Sequence, residues 1–345
     1  MKKLLRVIGM AVVGMVFLLA EMPLAQEKIP EIKVPKPKKK YTVGIAVQSS
    51  FIPMHLRIGK AAELEGKKYG IESVVLYGGG YGDVAKQVSQ MEDLVQRKVN
   101  GIVLGPVSFE GLAPVVDEAV KKGIKVVEFI TLSKSEKKIS AVTNDDEKIG
   151  RIMAEGHAQQ LGGKGKVVMI SGAAGAFWSK ARSEGYRKLM KEKYQGIQIV
   201  DEKWMAPIET GATMKVAEDL LLAHPDINGI YTTITAMARG AARAVEAAGK
   251  KGKIKLVAAA LEGTEDIAPL FDGTLAAIVS EPGVLYGKWA MDYLIKALEG
   301  EKVPKMVFVP NPIYTRANIC KVDLSIDFLP DEMVKIKDYL AKNCK

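Results

Sequence analysis

Apolar and polar positions alternate along this chain in two rhythms that take turns. Tyr41–Val47 is a β-rich run that fits a strand. After a polar turn, a helical stretch reaches about Tyr69, and a second strand-like run covers Ile71–Tyr77. Over Asp83–Lys98, Val84, Val88, Met91 and Val95 recur three or four residues apart, the spacing of one helix face. Gly101–Gly105 reads as a strand, followed by a helix to Lys122 and a strand over Ile124–Ile130. A second series begins with a short strand at Ile139–Val142 and a helix over Asn144–Gln160. Strands at Lys166–Ser171, Ile197–Glu202, Gly229–Thr233, Lys255–Ala260 and Leu275–Val279 continue it. The helices between and after them fall at about Lys180–Lys193, Thr213–Ala223, Met237–Ala248 and Val284–Leu298. Strands separated by helices form parallel sheets with right-handed crossovers. Two such series predict an α/β protein of two doubly wound lobes. Ligands of such sheets sit beyond the C-terminal strand ends, where the strand order reverses. In a two-lobed molecule that is the cleft between the lobes.

The two ends of the chain read differently. Lys2, Lys3 and Arg6 precede an apolar run from Val7 to Ala20, and Ala25 stands at a plausible cleavage point. A basic start, a short apolar stretch and small residues are the pattern of a cleaved secretory signal, which predicts a periplasmic location. The run is short for a spanning helix. Residues 26–40 hold six Lys, two Glu and Pro30, Pro35 and Pro37, the composition of an extended basic linker. These two segments carry most of the formal charge of +10, so the body has no basic stripe for nucleic acid. The linker also raises the thought of a surface-attachment protein. The two cysteines, Cys320 and Cys344, either pair in an oxidising compartment or remain free. With three scattered histidines they give no metal spacing, and no cofactor is expected.

Candidate contacts come from the strand ends. Phe51 and His55 follow the first strand, among Ser49 and Ser50. Tyr81 sits in the glycine-rich turn Gly78–Gly82 after the second strand. That turn lacks the Lys-Ser/Thr of a phosphate loop. Asp146 opens the helix that leads into the second series, and either caps it or faces the cleft. Trp178 offers a flat face for a sugar ring or a cation. Arg182 offers a donor fork, or an ion pair inside its lobe. Thr235, Glu262 and Glu281 each follow a later strand. No GxSxG elbow is present and no carboxylate pair stands out, so no residue is assigned a catalytic role. An exported hydrolase on a similar fold is the competing reading.

Ala173–Tyr186 (AAGAFWSKARSEGY), Leu220–Asp226 (LLLAHPD), Met237–Gly249 (MARGAARAVEAAG) and Asp272–Ala277 (DGTLAA) resemble the type I periplasmic solute-binding proteins of ribose-binding type. Val75–Gly82 (VLYGGGYG), Gly101–Gly105 (GIVLG) and Thr232–Ala236 (TTITA) look like the TorT-like branch that senses trimethylamine N-oxide. The resemblance implies two Rossmann-like lobes joined by a three-segment hinge, with crossings near Ala141–Asp145, Ser280–Pro282 and Asn311–Tyr314. It divides the chain into a signal peptide (1–25), a linker (26–40), an N-terminal lobe (41–145 and 281–311), a C-terminal lobe (146–280 and 312–330) and a tail (331–345). It implies hinge closure over one small solute. The solute would pass to a membrane permease of ABC type, or be reported to a sensor histidine kinase. Arg182 matches the family's ligand-binding arginine, Glu262 stands for an aspartate and Glu281 for a polar hinge residue. Ile130 and Thr131 stand where sugar binders carry an Asp-Arg pair, and Ile234 and Thr235 where they carry Asn-Asp. Tyr81, Trp178 and Trp204 with Asp146, Glu262 and Glu281 would suit a polar or partly cationic ligand, either sugar-like or an amine oxide.

Overall fold

A computed structural model describes residues 29–80 and 82–344. In chain order the elements are β1 (Thr42–Val47), α1 (Pro53–Lys68), β2 (Glu72–Tyr77), α2 (Val84–Gln96), β3 (Gly101–Leu104), α3 (Ala113–Lys121), β4 (Lys125–Phe129) and β5 (Ser140–Thr143). Then come α4 (Asp146–Gln160), β6 (Gly165–Ser171), α5 (Phe177–Lys193), β7 (Ile197–Trp204), α6 (Thr210–Ala223), β8 (Gly229–Thr232), α7 (Thr235–Ala247) and β9 (Lys255–Ala259). The chain ends with α8 (Thr264–Phe271), β10 (Leu275–Val279), α9 (Gly283–Leu298), β11 (Val307–Phe308), β12 (Ile313–Tyr314) and α10 (Pro330–Asn343).

Among the described residues the strands form two six-stranded sheets, ordered β11-β5-β4-β3-β1-β2 and β12-β10-β9-β8-β6-β7. Neighbours run parallel except β12, which is antiparallel to β10. Each sheet reverses its order beside its first strand, between β1 and β3 and between β6 and β8. Both faces are covered, and side chains alternate between them. Val43, Ile45 and Val47 enter one core with α9, while Ala46 faces the other with α2 and α3. Val168 and Ile170 likewise face one core of the second lobe, and Val167 and Met169 the other. Caps fix the helix starts: Asp83 accepts from Lys86 N, and Asp145 from Lys148 N.

The structure corrects several expectations. β5 heads no second series; it pairs with β4 in the first sheet, because the chain crosses to the second lobe only after it. The segment from residue 29 to 40 is no free linker. Ile32 and Val34 pack on the first lobe's core, and Lys33 O accepts from Lys296 Nζ at 3.1 Å. Residues 331–344 of the expected tail pack on the second lobe. Ile336 joins the second lobe's core, Tyr339 meets Phe271 edge-on, and Cys320 is bonded to Cys344. The signal segment and Tyr81 lie outside the described residues.

Candidate functional site

Strand ends of both lobes carry exposed aromatic rings. Phe51 after β1 is 66% exposed, Phe109 after β3 is 57% exposed and Phe177 at the start of α5 is 84% exposed. Trp204, the last residue of edge strand β7, is also exposed. These rings are left open to solvent at the strand ends of their own lobes. Phe109 and Phe177 escaped the sequence reading, although each follows a strand and the same positional rule applies to them.

The second lobe's side of the cleft is built on charge. Glycines bring α4 and α5 together: a Cβ on Gly150 would lie 1.9 Å from Arg182 O, and one on Gly185 would lie 2.1 Å from Glu147 O. This close crossing sets Arg182, 3% exposed, against the first turn of α4. Its Nε donates to Asp146 Oδ1 at 2.9 Å, and its Nη1 donates to Glu281 at 2.6 Å. Trp178 lies under the guanidinium, with 4.9 Å from Cζ to the ring centre. Burial costs the guanidinium solvation, yet Glu281 and Asp146 hold its pKa above the ordinary value. Burial pushes the Asp146 carboxyl up against the pull of Arg182, and Glu281 adds to the push.

A second arginine repeats the arrangement. Arg239 of α7 reaches Asp266 Oδ1 at 2.5 Å and Glu262 Oε2 at 3.3 Å. Asp266 also accepts from Glu262 N at 2.8 Å, and burial raises its pKa. Neither Asp146 Oδ2 nor Glu262 Oε1 takes a hydrogen bond from the described residues.

Two predicted contacts turn inward. His55 is buried, its Nδ1 is 3.1 Å from Ser49 Oγ, and burial lowers its pKa to about 4. Thr235 is buried too, and its hydroxyl donates to Ala260 O at 2.7 Å. Ala260 (φ 68°) and Ile130 (φ 58°) are left-handed residues at equivalent places, just past β9 and β4. Each such residue costs on the order of 1–3 kcal/mol and persists only where its neighbours hold it. Thr143 Oγ1 donates to Ile130 O at 2.6 Å, as Thr235 does to Ala260 O. Thr235 therefore braces the turn that carries Glu262.

The hinge closes the floor. Three chain crossings, after β5, after β10 and between β11 and β12, meet in one buried polar knot. Asn144 donates to Glu281 Oε2 at 2.9 Å and accepts from Tyr286 OH and from Asn311 Nδ2, the latter at 3.0 Å. Asn311 also reaches Ser280 O at 3.0 Å. Glu281 thus belongs to the hinge and to the cleft at once. Of the predicted contacts, Asp146, Trp178, Arg182 and Glu281 form one cluster and Glu262 joins a second, while Phe51 stands exposed after β1 in the other lobe. No group of three or more His, Cys, Asp or Glu among the described residues could hold a metal.

Two α/β lobes on a three-crossing hinge, with open aromatic and charged strand ends facing each other, define a solute-binding protein that works by lobe closure. The chain belongs to the periplasmic binding protein domain family, whose pattern matches residues 43–302. It is similar to the ribose import binding protein RbsB of Bacillus subtilis, with 29% identity over 280 residues, 81% of this chain and 88% of that one. It is also similar to the D-allose-binding periplasmic protein of Escherichia coli, with 29% identity over 260 residues, 73% of this chain and 82% of that one. Among solved structures, the substrate-binding protein of a sugar ABC transport system from Bordetella parapertussis superposes with a TM-score of 0.78 at 26% identity. That match covers 88% of this chain and 97% of that one.

Proposed function

We propose that this protein captures, in the periplasm, a sugar-sized polyhydroxyl solute that carries a positive charge, and hands it to an ABC permease. The relatives named for ribose and D-allose support the size class and the transport role. The charge rests on one observation. Two arginines on the second lobe's side of the cleft, Arg182 and Arg239, face four carboxylates, those of Asp146, Glu281, Glu262 and Asp266. Arg182 bonds protein oxygens through Nε, Nη1 and Nη2 and Arg239 through Nη1 and Nη2, while Asp146 and Glu262 each keep an oxygen for a donor. A ligand ammonium would compensate the burial that raises Asp146 and Asp266, and the open rings would flank its apolar faces.

The test is calorimetry on the mature chain with matched pairs, such as D-glucosamine against D-glucose and an amino-inositol against inositol. The amine should bind at least about tenfold tighter, a difference near 1.4 kcal/mol. Glu262→Gln should remove most of that preference. Equal or tighter binding of the neutral partner would overturn the charge assignment and keep the sugar class. No binding by any member would overturn both.

The trimethylamine N-oxide reading is kept for one reason: exposed Phe51 and Phe177 with Trp178 offer faces for a methylated nitrogen. Binding of trimethylamine N-oxide with no polyol binding would favour it, with a sensor kinase as receiver.

A further inference from the structure

Between β12 and α10 the chain runs across both lobes. Ile326 packs on the first lobe's core, and its carbonyl accepts from Val284 N and Leu285 N, at 3.0 and 3.2 Å, in the first turn of α9. Two residues on, Phe328 is buried in the second lobe's core. Between them Asp327 accepts from Ser280 Oγ in the hinge, and from Tyr314 OH at 2.7 Å. The segment then enters α10, where Glu332 accepts from Leu329 N at 2.9 Å and from Arg57 Nε at 2.8 and 2.9 Å.

Arg57 belongs to the other lobe, in the second turn of α1, and is 5% exposed. Its guanidinium lies over the Phe328 ring, 4.7 Å from the centre. Its Nη2 donates to the backbone carbonyl of Glu262. One buried cation of the first lobe therefore holds both the C-terminal helix and the loop that carries a candidate ligand carboxylate. The disulfide between Cys320 and Cys344 ties the far end of α10 back to the second lobe, so the strap is fixed at both ends.

We propose that residues 326–332 are a strap opposing lobe closure, and that Arg57 is the positioning residue coupling it to the Glu262 loop. All these bonds are made while Phe51, Phe109 and Phe177 stand exposed. On this proposal they stabilise the arrangement in which those rings are exposed, and closure turns α1 relative to the second lobe and breaks the bonds of Arg57 to Glu332 and to the Glu262 carbonyl. The ligand must then supply the difference through its contacts to both lobes.

The test uses the full mature chain and needs no ligand. Glu332→Gln keeps an acceptor for Leu329 N and removes the charge facing Arg57. Small-angle scattering of the ligand-free variant should show the closed-to-open ratio raised about two- to fivefold, the range of a part-exposed ion pair. Amide exchange in the Glu262–Asp266 loop should rise with it. Arg57→Lys, which keeps the charge but loses the fork, should raise loop exchange while shifting the scattering less. An unchanged scattering profile, with lost protection confined to α10, would make the contact a plain helix anchor and overturn the strap. A shift toward a more open form would overturn it as well.

Discussion

Arg182 answers to two demands. Its chemistry suits a ligand's oxygens, yet its donors already meet Asp146 and Glu281. Removing one partner of a buried ion cluster leaves the others uncompensated, at a cost of roughly 3–5 kcal/mol. Arg182→Met should therefore lower the melting temperature of the ligand-free protein, with Asp146 and Glu281 left against each other. A variant as stable as the parent that binds more weakly would return Arg182 to a pure ligand role. Residue types at strand ends could be read from the chain, and that rule nominated Phe51, Trp178, Arg182, Glu262 and Glu281 as candidates. The direction in which a side chain points could not. His55 and Thr235 occupy ligand-facing positions by rule, but a serine hydroxyl and a left-handed carbonyl draw them inward. Arg57 carried no signal, since an arginine in the second turn of an amphipathic helix reads as solvated until the other lobe is in place.

At the scale of elements, periodicity was legible wherever one lobe's own core decides it. Val84, Val88, Met91 and Val95 do lie on the packed side of α2. The missed elements, α8, α10, β11 and β12, are short or draw their apolar partners from distant segments. α10 does carry an apolar face, Met333, Ile336, Tyr339 and Leu340, yet of these only Ile336 is buried, and the core it meets belongs to segments far away in the chain. The lysines at the base of the first lobe are explained at this scale as well. Lys98, Lys122 and Lys125 line a hollow of about 640 Å³ close to the C-terminal ends of α2, α3 and α9. Cations there offset the negative ends of the helix dipoles. The helix α10 depends on its crosslink. The disulfide closes a loop with a sequence separation of 24, for which the chain-entropy account gives ~3 kcal/mol. Replacing both Cys320 and Cys344 by Ser should lower stability by an amount of that order and release protection over Pro330–Asn343 first. Even loss of protection across both lobes would show instead that α10 unfolds only with the whole.

For the whole molecule the question is how two lobes with separate cores behave as one body. Each lobe satisfies its own sheet, so what couples them is the polar junction of Asn144, Ser280, Glu281, Asn311, Tyr314 and Asp327, together with Arg57 and the segment from Ile326 to Phe328. The resemblance placed Asn144, Ser280, Glu281, Asn311 and Tyr314 at the hinge crossings, but Asp327 lay outside them, and the bonds that knit these side chains together carried no signal because the members are scattered along the chain. Asp327 is the member that titrates in an accessible range. Burial pushes its carboxyl from an ordinary 3.8 up to about 6, although Ser280 and Tyr314 donate to it. A carboxyl raised by folding holds its proton more tightly in the folded state. Its contribution to stability is complete below the unfolded value near 4 and is lost as pH rises through about 6. A shift of this size in a sealed group corresponds to as much as about 3 kcal/mol between the two limits. Asp292, raised to about 6 as well, adds a slope of the same sign in the first lobe, so the parent protein alone cannot isolate the junction. The comparison that can is Asp327→Asn, which keeps an acceptor for Tyr314 and does not ionise. Denaturant titrations at pH 4 and pH 8 should show the variant gaining on the parent as pH rises. Because Asp327 touches Ser280 in the hinge and lies between the residues that enter the two cores, that gain should bring a sharper, single unfolding transition at pH 8. A constant difference between the two proteins at both pH values would mean that the Asp327 carboxyl ionises as freely in the fold as outside it.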